Sequence, residues 1–176
     1  MASDTKNVKL GVCTVTFDET DLGYTKGGVE VEVTTETHQV TVDQFGNSPI
    51  NEYVMGRTVT VTCPLAETTL ENLVAIMPGA TLVTDATDTT KKKVVVTNGI
   101  GASLLETAKK LILHPVGKAA NDRSDDFVIP LANTAGALQF AYKLDEERIF
   151  NVSFSGYPDP VTKVLYVVGD ESAAAT

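Results

Sequence analysis

Val29-Glu30-Val31-Glu32-Val33-Thr34 and Thr58-Val59-Thr60-Val61-Thr62-Cys63 alternate apolar and polar side chains without a break. Successive side chains of an extended chain point to opposite faces, so a period of two gives each stretch one face to bury and one to leave in water. Gln39-Val40-Thr41-Val42-Asp43 repeats the pattern. Further strands are expected over residues 9–17, 93–97, 107–113, 137–143, 149–155 and 164–168. Asp21-Leu22-Gly23, Gly27-Gly28, Phe45-Gly46-Asn47 and Asn98-Gly99 supply turn residues that tolerate positive φ between them. The chain therefore reads as mainly antiparallel β, although residues 104–111 also carry helix propensity.

One helix is signalled. Thr68 followed three residues later by Glu71 has the spacing of a capping box, and Leu70, Leu73, Val74 and Met77 follow at helical intervals before Pro78-Gly79 stops the run. A single short helix with one apolar stripe is expected to pack on the open face or the end of a sheet. Residues 45–56, 86–92 and 115–126 read as long loops.

The chain has 176 residues, 14 Lys+Arg against 23 Asp+Glu and a formal net charge of −9, with 43% hydrophobic and 21% charged residues. A chain of this length buries a core large enough to fold without a disulfide or metal. One domain spanning 1–176, with flexible ends at about 1–7 and 171–176, is expected. A binder of DNA or RNA neutralises phosphates with clustered cations, which a surplus of nine acids opposes. No apolar run approaches the ~20 residues that cross a bilayer, and the first residues lack a secretory pattern, so a protein that is neither exported nor membrane-embedded is expected. Cys13 and Cys63 sit in alternating sequence without a neighbouring cation to activate them, as small core residues in a reducing compartment would.

Nothing in the sequence assembles a catalytic constellation. His38 and His114 have no Cys or paired acid at metal-ligand spacing. Asn98-Gly99-Ile100-Gly101 shares two glycines with dinucleotide-binding loops but lacks the third, and reads as a turn. The acids at Asp122, Asp125 and Asp126 and at 145–147 match no EF-hand, and Lys91-Lys92-Lys93 reads as a charged strand start. No metal, no cofactor and no enzymatic activity are expected.

Several strings, taken in order, resemble the major tail tube protein of long-tailed, non-contractile bacteriophages. They are the opening stretch from Gly11 to Phe17, then Asp21-Leu22-Gly23-Tyr24-Thr25-Lys26-Gly27-Gly28-Val29, then Val40 to Gln44 with its Gly46 turn, and Val59-Thr60-Val61-Thr62-Cys63-Pro64-Leu65-Ala66-Glu67-Thr68-Thr69-Leu70. Leu111-Ile112-Leu113-His114-Pro115, Asn121-Asp122-Arg123-Ser124-Asp125-Asp126 and Asp145-Glu146-Glu147-Arg148-Ile149-Phe150-Asn151-Val152-Ser153-Phe154 complete the set, and the resemblance runs across roughly residues 9 to 170. The resemblance lies in order and spacing, since none of these strings is a chemical signature.

The resemblance implies a β-sandwich or half-barrel flanked by a helix, six copies of which close into a ring. Stacked rings would form a tube in the virion tail, made of protein synthesised in the host bacterial cytoplasm. Its implied partners are further copies of itself, the tail-tip initiator, the tape-measure protein and the tail terminator, while DNA passes through without specific binding. In that arrangement Glu30, Glu32, Thr41, Asp43, Thr58, Thr60 and Thr62 are candidates to line the lumen, where carboxylates and hydroxyls would repel rather than hold DNA. Phe45, Pro49, Ile50, Tyr53, Val54 and Met55 are candidates for contact between subunits or rings, being more apolar than an exposed loop usually is. Two other functions fit the same residues, a tube protein of a bacterial secretion or injection apparatus and a monomeric β-sandwich binding module.

Overall fold

The computed structural model describes residues 4–5, 8–9 and 11–173, so most of the expected flexible ends lie outside the described residues. Ten strands and one α-helix follow in chain order: β1 Cys13–Phe17, β2 Thr20–Asp21, β3 Glu30–Val40, β4 Asn51–Leu65, α1 Leu70–Ile76, β5 Ala80–Thr84, β6 Lys92–Val96, β7 Lys109–Pro115, β8 Phe127–Thr134, β9 Phe150–Gly156 and β10 Val167–Val168. The main sheet runs β2-β1-β7-β8-β9-β4-β3, with β10 also on β8, and β5-β6 form a separate hairpin. Every pairing is antiparallel. The expected mainly β fold with one short helix is the fold observed.

The core follows from the alternation. Val59, Val61, Cys63 and Leu65 of β4, Phe150, Val152 and Phe154 of β9, Leu111 and Leu113 of β7, and Val15 and Phe17 of β1 are all buried in one cluster. Each such side chain stabilises the fold by roughly 1.5–3 kcal/mol relative to exposure. β1 and β9 are separated in the sheet by β7 and β8, yet the Phe17 and Phe154 ring centroids lie 5.0 Å apart. The sheet therefore curls around its own apolar face, and Ile76 of α1 joins the same cluster.

Several expected elements shift. The strand expected at 39–43 is the end of β3, which stops at Val40, and Asp43–Phe45 form a 3₁₀ turn. Residues 51–56, expected as loop, belong to β4. Residues 137–143 form no strand; Phe140 and Tyr142 instead stack around Arg148 with Phe150. Only Val167–Val168 of 164–168 pairs.

The helix begins one residue later than the capping box predicted. Thr69, not Thr68, accepts the amide of Asn72 (3.1 Å), while the Thr68 hydroxyl accepts Arg148 Nη2 (2.7 Å). Glu71 pairs with Lys92 of β6 instead of returning to the cap. Asn72 is buried and donates to the carbonyls of Leu22 and Glu67 (2.9 Å each), fixing the helix to the β2–β3 connection.

β8 is the strand that periodicity did not reveal. Phe127-Val128-Ile129-Pro130-Leu131-Ala132 is continuously apolar, and a proline in such a run argues against a central strand. The structure resolves the conflict with a bulge. The β7–β8 register jumps from Leu111↔Ile129 to Lys109↔Ala132, which puts Pro130 in the irregularity, the kind of position where a strand tolerates proline.

Gly156 marks the tightest crossing of the core. A Cβ there would lie 2.4 Å from Val59 Cγ1 and 2.9 Å from Ile129 Cγ2, whereas at Gly56 it would meet open space. Gly156→Ala is expected to destabilise by about 1–3 kcal/mol and to lower the melting temperature by roughly 2–12 °C. Gly56→Ala should leave it nearly unchanged, and equal melting curves for the two variants would contradict this packing.

Candidate assembly surface

The β3–β4–β9 register arranges the polar side of the sheet in rows. Glu30 opposes Thr62, which opposes Ser153; Glu32 opposes Thr60, which opposes Ser155; Thr34 opposes Thr58. Directly opposed residues share a face, so five of the seven lumen candidates (Glu30, Glu32, Thr58, Thr60 and Thr62) lie together on one acidic and hydroxyl-rich surface. The other side of the same strands carries Val31, Val61 and Phe154, then Val33 and Val59. Glu30 and Glu32 form no ion pair among the described residues.

Thr41 and Asp43 are not part of that surface. They follow the end of β3, and the Asp43 carbonyl accepts the Gly46 amide (3.2 Å) at the tip of the hairpin. Alternation in 39–43 does not persist as a strand because the chain turns there to return as β4. Ser153 and Ser155, absent from the sequence candidates, complete the polar rows. Their signal was the alternating Asn151-Val152-Ser153-Phe154-Ser155, legible as a strand but not assignable to a neighbour without the register.

β3 and β4 run on well past the rest of the sheet. β9 pairs with β4 only from Thr60 to Leu65, so Asn51–Val59 pairs with β3 alone, a two-stranded arm roughly 30 Å long. Its pairing shifts between Glu36 and Thr37, leaving Met55 as an extra residue in β4. Tyr53 opposes His38 on the side that carries Glu36, and Val54 opposes Thr37 on the other side. Thr37 Oγ1 donates to Glu52 Oε1 (2.5 Å) across that second side. The tip is closed by Ser48 donating to the Phe45 carbonyl and Ile50 to that of Val40.

The six contact candidates sit on this arm. Phe45, Ile50, Tyr53, Val54 and Met55 are 51–68% exposed, and Pro49 is exposed as well. They do not fold back on their own core. Nor do they make one patch, because the register sends Tyr53 and Val54 to opposite sides and leaves Phe45, Pro49 and Ile50 at the tip. An isolated two-stranded hairpin is only marginally stable in water, so an arm with apolar groups on both sides gains from being covered.

Several of the charged and nucleophilic groups outside this surface are committed locally. Asp126 is buried between His114 Nδ1 (2.6 Å) and Arg123 Nη1 (3.0 Å). Hydrogen bonds from Ser124 and Lys118 hold the Asp122 carboxyl well below the usual carboxylate range, and Lys9, then Lys118, lower Asp125 in the same way. Lys91 pairs with Asp88 and Lys92 with Glu71. Burial pushes the Cys63 thiol up to about 12 and also raises Cys13, so neither is an activated thiolate. Among the described residues no group of three His, Cys, Asp or Glu side chains is placed to hold a metal, and no helix is long and apolar enough to cross a membrane.

The chain matches no protein-family model, and no curated protein matches it.

Because Tyr53 and Met55 are exposed, Tyr53→Ala with Met55→Ala should move the melting temperature of the isolated protein by no more than about 2–4 °C. Calorimetry checks this; a large loss would show that the arm packs on its own body in solution.

Proposed function

We propose that this protein is a structural subunit that polymerises with copies of itself into a hollow tube, as in the tails of long-tailed, non-contractile bacteriophages. Six copies close into a ring, the rings stack, and the polar rows of β3, β4 and β9 face the channel through which DNA passes. The single observation that carries the reading is the outer part of the β3–β4 arm, where Tyr53, Val54 and Met55 leave apolar groups exposed on both sides of a two-stranded hairpin.

Three further features support it. β3 is an eleven-residue edge strand with one unpaired side, a template for pairing with another sheet unless it is covered. Its inward face, Val31 and Val33, is 39–40% exposed, more open than Val59 and Val61 opposite, so the apolar side of the sheet is unfinished at this edge. Its other side offers carboxylates and hydroxyls, which give a polyanion no counter-charge to bind.

In this reading the arm reaches a neighbouring subunit or ring, the tail-tip initiator sets where the first ring forms, the tape-measure protein occupies the channel during growth, and the terminator caps the last ring. The protein acts by shape, edge chemistry and charge.

Electron microscopy of concentrated purified protein, alone and with tail-tip components, tests the proposal. Hollow tubes or rings of uniform width are expected; a protein that stays monomeric under all of these conditions would be a binding module instead. Glu30→Lys with Glu32→Lys should leave tube formation intact and slow DNA passage, read as a loss of infectivity in a phage carrying the variant. Full infectivity would place those carboxylates away from the channel.

A further inference from the structure

Asn98 and Gly99 are both exposed in the loop between β6 and β7. An asparagine side chain is electrophilic at Cγ, and the backbone nitrogen of the next residue is placed to attack it and close a five-membered ring. Two things normally prevent this, the next residue's side chain and a hydrogen bond that holds its N–H. Gly99 has no side chain, which removes the first. Among the described residues no acceptor takes the Gly99 amide, which removes the second. The bonds of the loop lie on either side of it: Ile100 N–H donates to the Asn98 carbonyl (2.9 Å) and Ala102 N–H to the Gly99 carbonyl (3.0 Å).

The other described asparagines lack this combination. The amides following Asn47, Asn72 and Asn121 donate to the carbonyls of Phe45, Thr69 and Ala119. Those following Asn51 and Asn133 are held by the asparagines' own Oδ1 atoms (2.8 Å each). Asn151 lies inside β9, where the ladder to Pro64 fixes the backbone.

We propose that Asn98 is a site of spontaneous covalent modification, deamidating through a succinimide formed with Gly99. The Gly99 nitrogen gives its proton to solvent base and forms the new N–Cγ bond; the Cγ–Nδ2 bond breaks and the amide leaves as ammonia. One water then opens the ring at either carbonyl, giving aspartate or the β-linked isoaspartate. The product carries one more negative charge. The change stays local, because the following segment is anchored by Asn133 Nδ2 to the Leu104 carbonyl (2.7 Å) and Thr107 Oγ1 (2.8 Å). The inference stands independently of the assembly reading.

The test is ageing of the purified full chain in mildly alkaline buffer at body temperature, followed by tryptic mapping of peptide 94–109 with aspartate and isoaspartate resolved by mass spectrometry. Asn98 is expected to convert about tenfold faster than Asn47 or Asn121, equivalent to about 1.4 kcal/mol in barrier, with both products present. Gly99→Ala should slow conversion by a similar factor without unfolding the protein, since the added Cβ would meet Ala102 Cβ at an ordinary 3.6 Å. Conversion of Asn98 no faster than of Asn47 or Asn121, aspartate as the sole product, or an unchanged rate in Gly99→Ala would overturn the proposal.

Discussion

β4 is fifteen residues long, and the sheet beside it supports fewer than half of them. From Thr60 to Leu65 the strand lies between β3 and β9, and its Val61, Cys63 and Leu65 close the core. From Asn51 to Val59 it has β3 alone. The same alternation that buries one end leaves the other open on both sides, because no third strand continues past Gly156. Gly156 itself is where β9 crosses close to Val59 and Ile129, so the end of β9 and the start of the arm are set by one contact. Lengthening β9 would cover the arm and remove the feature on which the assembly reading rests.

The bulge between Glu36 and Thr37 adds a second consequence. An extra residue bends a strand and increases its local twist. It also resets the face count along β4, so that Tyr53 falls on the side of Glu32 and Thr60 although simple alternation from Thr60 would place residue 53 on the opposite side. Contact candidates chosen for apolarity alone are thereby divided between surfaces. A partner that covers the arm meets an aromatic side near His38 and a separate, partly polar side around Thr37, Glu52 and Val54.

The sequence was most readable where one face is buried and the other wet. Val31, Val33, Val59 and Val61 announced both their strands and their polar neighbours, and five of seven lumen candidates fall on one surface because alternation fixes facing directly. β8 was hidden because both of its sides are covered, which erases the alternation, and because Pro130 is tolerated only through a register jump that involves β7. The helix start slipped from Thr68 to Thr69 for a tertiary reason: Arg148, eighty residues away, takes the Thr68 hydroxyl. The stretch 137–143 has strand-like composition, but its aromatics serve a guanidinium instead of a sheet. Each of these depends on a partner distant in sequence.

The net charge of −9 loses much of its direct meaning once the acids are located. Asp18, Glu71, Asp88, Asp122, Asp125, Asp126, Glu146, Glu147 and Glu171 all have cationic or imidazole partners. At physiological ionic strength exposed charges are screened over about 8 Å, so acids on the far side of the subunit contribute little to the potential felt at the polar rows. What a polyanion beside β3 would meet is local: Glu30 and Glu32, two residues apart on one edge strand, backed by hydroxyls of Thr60, Thr62, Ser153 and Ser155. Two carboxylates per subunit, repeated around a ring, make a continuous acidic girdle only if the β3 edges of neighbouring copies are brought close. In the proposed tube the electrostatic role and the assembly role would thus depend on the same strand, and the repulsion that would keep DNA from adhering would also act between subunits, so edge contacts would have to outweigh it for the ring to close.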